Sequence, residues 1–332
     1  MAIRNWGVLI MEHVFISKQD QLEKKLEQWK EQAGSNIKID VQKSFSGHNV
    51  YAITLTDFSV RREEQTALYV AQPHAHEPAT TAGMVDVIEQ LVTGKDLLGN
   101  PTTIDRHKVL SQMILTFNPI GNPYGRENAP YLYWDGSEVT NEQFWCIMRG
   151  EEPDAPGKMW DRLDIFDTRE IKVPDPIGIV YEPIDEFRYV EPNRSQLSSF
   201  FKLFHQMDKQ FQYQYWLDLH QTEFARSASQ CLVMLPLDDV RIDKQIKDEN
   251  EAWAGQISQA WQEEGFRVTP PFPLPYVGQQ AEYIRKNWGE IDRRINRITI
   301  EVKNNAADTP PRRQMDAIES SILKTLRRLT NS

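Results

Sequence analysis

The chain has 332 residues, of which 40% are hydrophobic and 26% charged, with a formal net charge of −10 at neutral pH. This is a globular composition with material for one large domain or two ordinary ones. The acidic balance argues against nucleic acid or an anionic membrane as the main partner. No apolar stretch approaches the ~18 residues that span a bilayer. The opening Met1-Ala-Ile-Arg-Asn-Trp-Gly lacks the apolar core and cleavage site of a signal peptide, so a cytoplasmic location is expected. The two cysteines, Cys146 and Cys231, do not form a C-x-x-C pair and do not suggest a disulfide scaffold.

The first predicted element is an amphipathic helix over residues 18–32, where Leu22, Leu26 and Trp29 recur at helical spacing. A turn at 43–48 leads into a strand at 50–56. A second strand at 66–70 runs into Ala71-Gln-Pro-His-Ala-His-Glu-Pro-Ala79. A helix is predicted over 80–98, with Met84, Val87, Ile88 and Leu91 on one face, then a buried strand over 111–117 ended by Asn118-Pro119. From 121 to about 191 the alternation fails in a Pro-, Gly- and Asp-rich stretch carrying Trp134, Trp145 and Trp160. An insertion of this length is expected to serve as a substrate loop. Regularity resumes with a helix at 195–210, strands at 215–219 and 230–235, a helix at 249–264 and a strand at 297–302. A last amphipathic helix over 313–329 follows Pro310-Pro311. Short apolar strands alternating with helices, without repeat or linker, predict a single α/β domain over 1–332. Its central sheet is expected to be mixed, mostly parallel and flanked by helices, with the site beyond the carboxyl ends of the strands.

His74 and Glu77 stand at H-x-x-E spacing directly after an apolar strand, where a tight loop can aim an imidazole and a carboxylate at one point. Both ligand types suit zinc, and a catalytic zinc takes three protein ligands with one position open. His220 closes the apolar run Trp216-Leu-Asp-Leu-His220. Glu301 interrupts Arg297-Ile-Thr-Ile-Glu301-Val-Lys303, where alternation sets Arg297, Thr299 and Glu301 against Ile298, Ile300 and Val302. Residue 80 is Thr80, so His76-Glu77 does not open an H-E-x-x-H motif. Asp218 is expected on the opposite side of its strand from His220. His13, His48, His107 and His205 have no comparable support.

The ordered set H-x-x-E, N-P-x-G, D-L-H and T-x-E resembles the zinc metallocarboxypeptidases of the carboxypeptidase A type, over nearly the whole chain. The resemblance implies one zinc ion held by His74, Glu77 and His220, with Glu301 as general base. It implies an oxyanion role for Arg126 in Asn118-Pro-Ile-Gly121…Gly125-Arg126-Glu-Asn128, with Asn128 beside it at the substrate. Tyr276 in Pro273-Leu-Pro-Tyr-Val-Gly278 corresponds to the mobile tyrosine that covers substrate, with Tyr283 as competitor.

The chain departs from the family where an Asn-Arg pair in a D-L-N-R context should clamp the substrate's terminal carboxylate. Tyr131-Leu-Tyr-Trp-Asp-Gly136 stands there instead. Asn193-Arg194 is read as the start of the following helix. Arg149, Arg162, Arg188 and Arg226 are the candidate replacements, and Arg226, six residues beyond His220, is preferred. The aromatics Tyr131, Tyr133 and Trp134 face substrate or pack the loop. The resemblance implies a zinc-dependent hydrolase of peptide or peptide-like amide bonds. An N-acyl amino acid deacylase, an amidase or endopeptidase on the same metal site, and a non-catalytic binding protein of this fold are the alternatives.

Overall fold

The structure is a computed structural model that describes residue 11 and residues 14–160, 164–222 and 227–330. Helix α1 (Gln19–Ala33) buries Leu22, Leu26 and Trp29 on the face their spacing predicts. It leads to a hairpin of β1 (Ile37–Lys43) and β2 (Asn49–Leu55). No strand was expected at β1, because Lys38, Asp40 and Lys43 dominate its composition. Such charges belong on an edge strand, and β1 is the edge.

Strand β3 (Thr66–Ala71) opens into the His74 loop, and helix α2 (Pro78–Thr93) begins with Pro78 in its first turn. It stops at Gly94, whose φ of 80° is left-handed, short of the predicted end at 98. Helix α3 (Arg106–Gln112), capped by Asp105, takes the start of the next predicted strand, so β4 spans Met113–Asn118.

The stretch expected to be irregular is compactly built. It holds α4 (Pro123–Asn128), α5 (Asn141–Arg149), a hairpin of β5 (Glu151–Glu152) and β6 (Ala155–Met159), and a small sheet. That sheet contains β7 (Ile165–Asp167), β8 (Glu182–Pro183) and β9 (Arg188–Val190). Trp134, Phe144, Trp160, Phe166 and Tyr181 form an apolar cluster of its own.

The chain returns to the main sheet through α6 (Ser199–Phe211), β10 (Tyr215–Thr222) and β11 (Cys231–Leu235). Helix α7 (Lys244–Glu263), β12 (Val268–Pro273), α8 (Gly278–Asp292), β13 (Asn296–Lys303) and α9 (Pro311–Thr330) complete it. Neither β12, with its three prolines, nor the polar α8 was expected.

The eight strands lie in the order β1-β2-β4-β3-β10-β13-β11-β12. β4, β3, β10 and β13 run parallel, as do β11 and β12, while β1–β2, β2–β4 and β13–β11 are antiparallel. The result is a single α/β domain with a mixed, mostly parallel sheet. One core packs the sheet against α1, α2, α7 and α9, and a second, aromatic core packs its other face against α6 and α8. Trp216 anchors the second core, 4.2 Å from Phe204 and 4.9 Å from Trp288 between ring centroids.

Candidate metal centre and cleft

β3, β10 and β13 are neighbours and parallel, so their carboxyl ends deliver side chains to one place. Asp218 pairs with Ala71 on one side and Thr299 on the other, and His220 lies directly opposite Glu301. Leu217 and Leu219 face the first core and Trp216 the second. With a period of two, Asp218 and His220 therefore share the second face. This corrects the expectation that Asp218 points away from His220.

The His74 loop is held by its carbonyls. Arg126 Nη1 donates to Ala75 O at 3.1 Å and Asn304 Nδ2 to His76 O at 3.3 Å. Ala79 N donates to Gln221 Oε1 at 2.8 Å. The N-P-x-G glycine packs against the same exit: a Cβ on Gly121 would lie 2.4 Å from Gln72 O.

His74 Nδ1 lies 2.9 Å and His220 Nδ1 3.3 Å from one oxygen, Glu77 Oε1. Ligand atoms of the three residues all lie within 4.8 Å of one another, and all three are buried. The far nitrogens face polar partners. His74 Nε2 is 3.1 Å from Asn193 Oδ1 and 3.2 Å from Glu191 Oε1. His220 Nε2 is 3.2 Å from Asp218 Oδ2, which lies 3.7 Å from Arg297 Nη1. Partners of this kind orient metal-binding imidazoles and raise their basicity.

Burial opposes charging of His74 and His220, but the Glu77 carboxylate, aided by Glu191 and Asp218 respectively, outweighs it and raises both. Burial likewise opposes ionisation of Glu77, yet the two imidazoles hold its carboxyl below the usual range. Glu77 Oε2 is buried without a hydrogen-bond partner. Two imidazoles and an ionised carboxylate converging at a cleft, with one oxygen unmet, fit a zinc ion. His76 stacks on His74 at 5.1 Å, and burial pushes its pKa down to about 3.

The three ligands line a cleft of about 320 Å³ together with Glu301, Asn193, Arg194, Tyr276, Arg149 and Arg297. Arg194 Nη2 donates to the Tyr276 hydroxyl at 3.0 Å, and its guanidinium lies 5.1 Å from that ring's centroid. Asn193-Arg194 is thus not merely a helix start: a short 3₁₀ turn, Pro192–Arg194, turns both residues into the cleft before α6 begins. The pair is hard to see in the sequence because the whole inserted segment separates it from N-P-x-G. The available signal was Glu191, a carboxylate two residues before Asn193, as in D-L-N-R.

Other expected site residues lie elsewhere. Arg126 is fully buried, and its guanidinium donates to Ser17 O, Ser17 Oγ, Ala75 O, Tyr131 O and Leu132 O at 2.8–3.1 Å. It braces the metal loop from behind and does not line the cleft, which removes it from the oxyanion role. Asn128 is exposed, donating to Tyr124 O, and is also outside the cleft. Trp134 is 2% exposed and packs on Phe144 at 4.8 Å and Tyr131 at 5.2 Å, while Tyr133 packs on Phe15. Those aromatics are loop packing. Arg226 and Arg162 lie outside the described residues, and Arg188 is paired with Asp185.

No family model matches the chain, and no curated protein matches it in sequence. Its architecture does match solved structures. The metallo-carboxypeptidase of Burkholderia cenocepacia aligns over 93% of this chain and 68% of its own, with a TM-score of 0.57 and 12% identity. The carboxypeptidase A of Helicoverpa armigera aligns over 95% and 74%, with a TM-score of 0.59 and 10% identity. Thrombin-activatable fibrinolysis inhibitor aligns over 95% and 74%, also with a TM-score of 0.59, at 11% identity. The chain has a zinc carboxypeptidase-like fold. Within that fold the His74, Glu77 and His220 group can hold a metal ion. Among the described residues, no helix is long and apolar enough to cross a membrane.

Proposed function

We propose that the protein is a zinc-dependent peptidase that releases the C-terminal residue of a peptide or peptide-like substrate. The reading is carried by one juxtaposition. The His74, Glu77 and His220 group, Glu301 and the Arg194–Tyr276 pair line a single cleft. An arginine presented beside a tyrosine hydroxyl suits a free carboxylate and disfavours an amide.

Zinc held by His74, Glu77 and His220 would polarise a substrate carbonyl and lower the pKa of water. Glu301 takes a proton from the water whose oxygen adds to the carbonyl carbon. It returns that proton to the amide nitrogen as the C–N bond breaks, leaving a carboxylate and an amine. Asn193, Arg194 and Tyr276 hold the terminal carboxylate. Of the other cleft arginines, Arg297 is held by Asp292 through contacts of 2.7 and 3.2 Å. Arg149, from the end of α5, lines the same cleft as the three ligands with its guanidinium 4.9 Å from the Trp145 ring, and on that placement we assign the developing negative charge to it.

The test is a matched set of peptides with free and amidated C-termini, with and without chelator. Cleavage should be confined to the free form and abolished by chelation. Glu301→Gln should retain one zinc while losing about 10²-fold or more in kcat. Equal cleavage of the amidated peptide, or near-wild-type turnover by Glu301→Gln, would refute the reading.

A further inference from the structure

The main sheet has two edges, and the chain treats them differently. β12 carries Pro270, Pro271 and Pro273, which have no N–H to offer a further strand. β1 has no proline, and its pairing with β2 runs from Ile37 opposite Leu55 to Lys43 opposite Asn49 without a bulge.

The phase of that ladder decides which peptide groups remain. Thr56 N donates to Asn36 O at 3.1 Å at one end, and Ser44 N to His48 O at 3.0 Å at the other. Antiparallel bonds recur at every second residue. Lys38, Asp40 and Gln42 therefore turn their peptide groups to β2, while Ile37, Ile39 and Val41 turn theirs away. Among the described residues, no strand lies beyond them. Ile37 and Ile39 pack on the rim of the first core, and Val41, on the same face, is 42% exposed. Lys38 and Asp40 share the other face, 3.1 Å apart between Nζ and Oδ2.

A further strand can bond this edge only where its own free groups meet those of Ile37, Ile39 and Val41. For another β1 running antiparallel, the two-fold axis then passes through a residue position. At Lys38 the axis sets Lys38 against Lys38, and at Asp40 it sets Asp40 against Asp40. At Val41 it leaves Asp40 against the neutral Gln42. At Ile39 it sets Lys38 against Asp40 twice, in the close pairs that share no hydrogen bond, with Ile37 against Val41 and Ile39 against Ile39. We propose that a second copy of this chain docks along β1 in that last register, joining two eight-stranded sheets into one. The order of the charges selects the register, and the apolar stripe fills the seam. This association does not depend on the peptidase reading.

Sedimentation equilibrium of the full chain should show a reversible dimer at about 10–100 μM. Lys38→Glu alone, or Asp40→Lys alone, makes both cross-strand pairs repulsive and should weaken the dimer by roughly tenfold or more. An equimolar mixture of the two variants sets opposite charges face to face again and should recover association, which also shows that each variant is folded. Val41→Pro, at an exposed position whose N–H β2 does not use, should weaken the dimer while sparing the β1–β2 ladder. Hydrogen exchange at the Ile37, Ile39 and Val41 amides should slow as protein concentration rises. A wild-type monomer throughout that range, a dimer equally tight in the single variants, or a mixture that stays monomeric overturns the proposal.

Discussion

A buried guanidinium is stable only when its donors are met, and Arg126 meets them on the oxygens of Ser17, Ala75, Tyr131 and Leu132. Burial lowers its pKa to about 9, which still leaves it charged at neutral pH. Arg126→Met should cost about 3 kcal/mol of stability by stranding those acceptors, and should weaken zinc binding by loosening Ala75. Urea midpoints and zinc titrations measure the two effects. A variant of full stability and zinc affinity but reduced kcat would restore the oxyanion role. Arg149→Ala has a different signature: zinc content is kept and kcat falls by about 100-fold, with partial recovery in Arg149→Lys. The two arginines look alike in sequence. Only their surroundings separate the buried brace from the arginine that lines the cleft.

At the scale of elements, the 3₁₀ turn Pro192–Arg194 brings Asn193 and Arg194 to the cleft, and the first turn of the α6 helix that follows rests on a buried carboxyl. Glu182 Oε1 accepts from Ser199 N at 2.7 Å, and burial raises the Glu182 pKa from 4.5 to about 7. The folded state therefore holds a proton that the unfolded chain releases between those values. Its stabilising contribution is full below about 4.5 and is lost as pH rises through 7. Thermal stability should fall between pH 5 and 8, and Glu182→Gln should flatten that part of the curve. An unchanged slope in the variant would show that Glu182 does not carry it. Strands β3, β10 and β13 were legible because their apolar residues lead into the His74 loop or carry His220 and Glu301 near the carboxyl end. β12 and α8 were hidden, since prolines mask the strand and polar residues dominate the helix, yet α8 supplies Ile284 and Trp288 to the cleft.

Across the whole molecule, the ligands come from the β3 exit and from β10, strands that pair in parallel only once the sheet is assembled. The unfolded chain cannot present them together, so metal binding at this group would be coupled to folding. Stripping zinc should lower the melting temperature, with about 4 kcal/mol at stake when free metal exceeds the dissociation constant a thousandfold. Glu301→Gln should keep this metal-dependent shift and His220→Ala should lose it. A melting temperature indifferent to chelator would indicate a fold that does not use the site.

That His74, Glu77, His220 and Glu301 meet in one cleft was readable from the sequence, because strand ends restrict position. The α/β architecture followed from the same alternation. The partners of those residues were decided by tertiary structure alone. Asn193-Arg194 reaches the cleft only because the segment between α4 and α6 packs on its own aromatic cluster and returns the chain there. Arg126 is withdrawn because neighbouring backbone carbonyls close around it. A side chain's chemistry is written locally, whereas its neighbours are set by packing between distant segments.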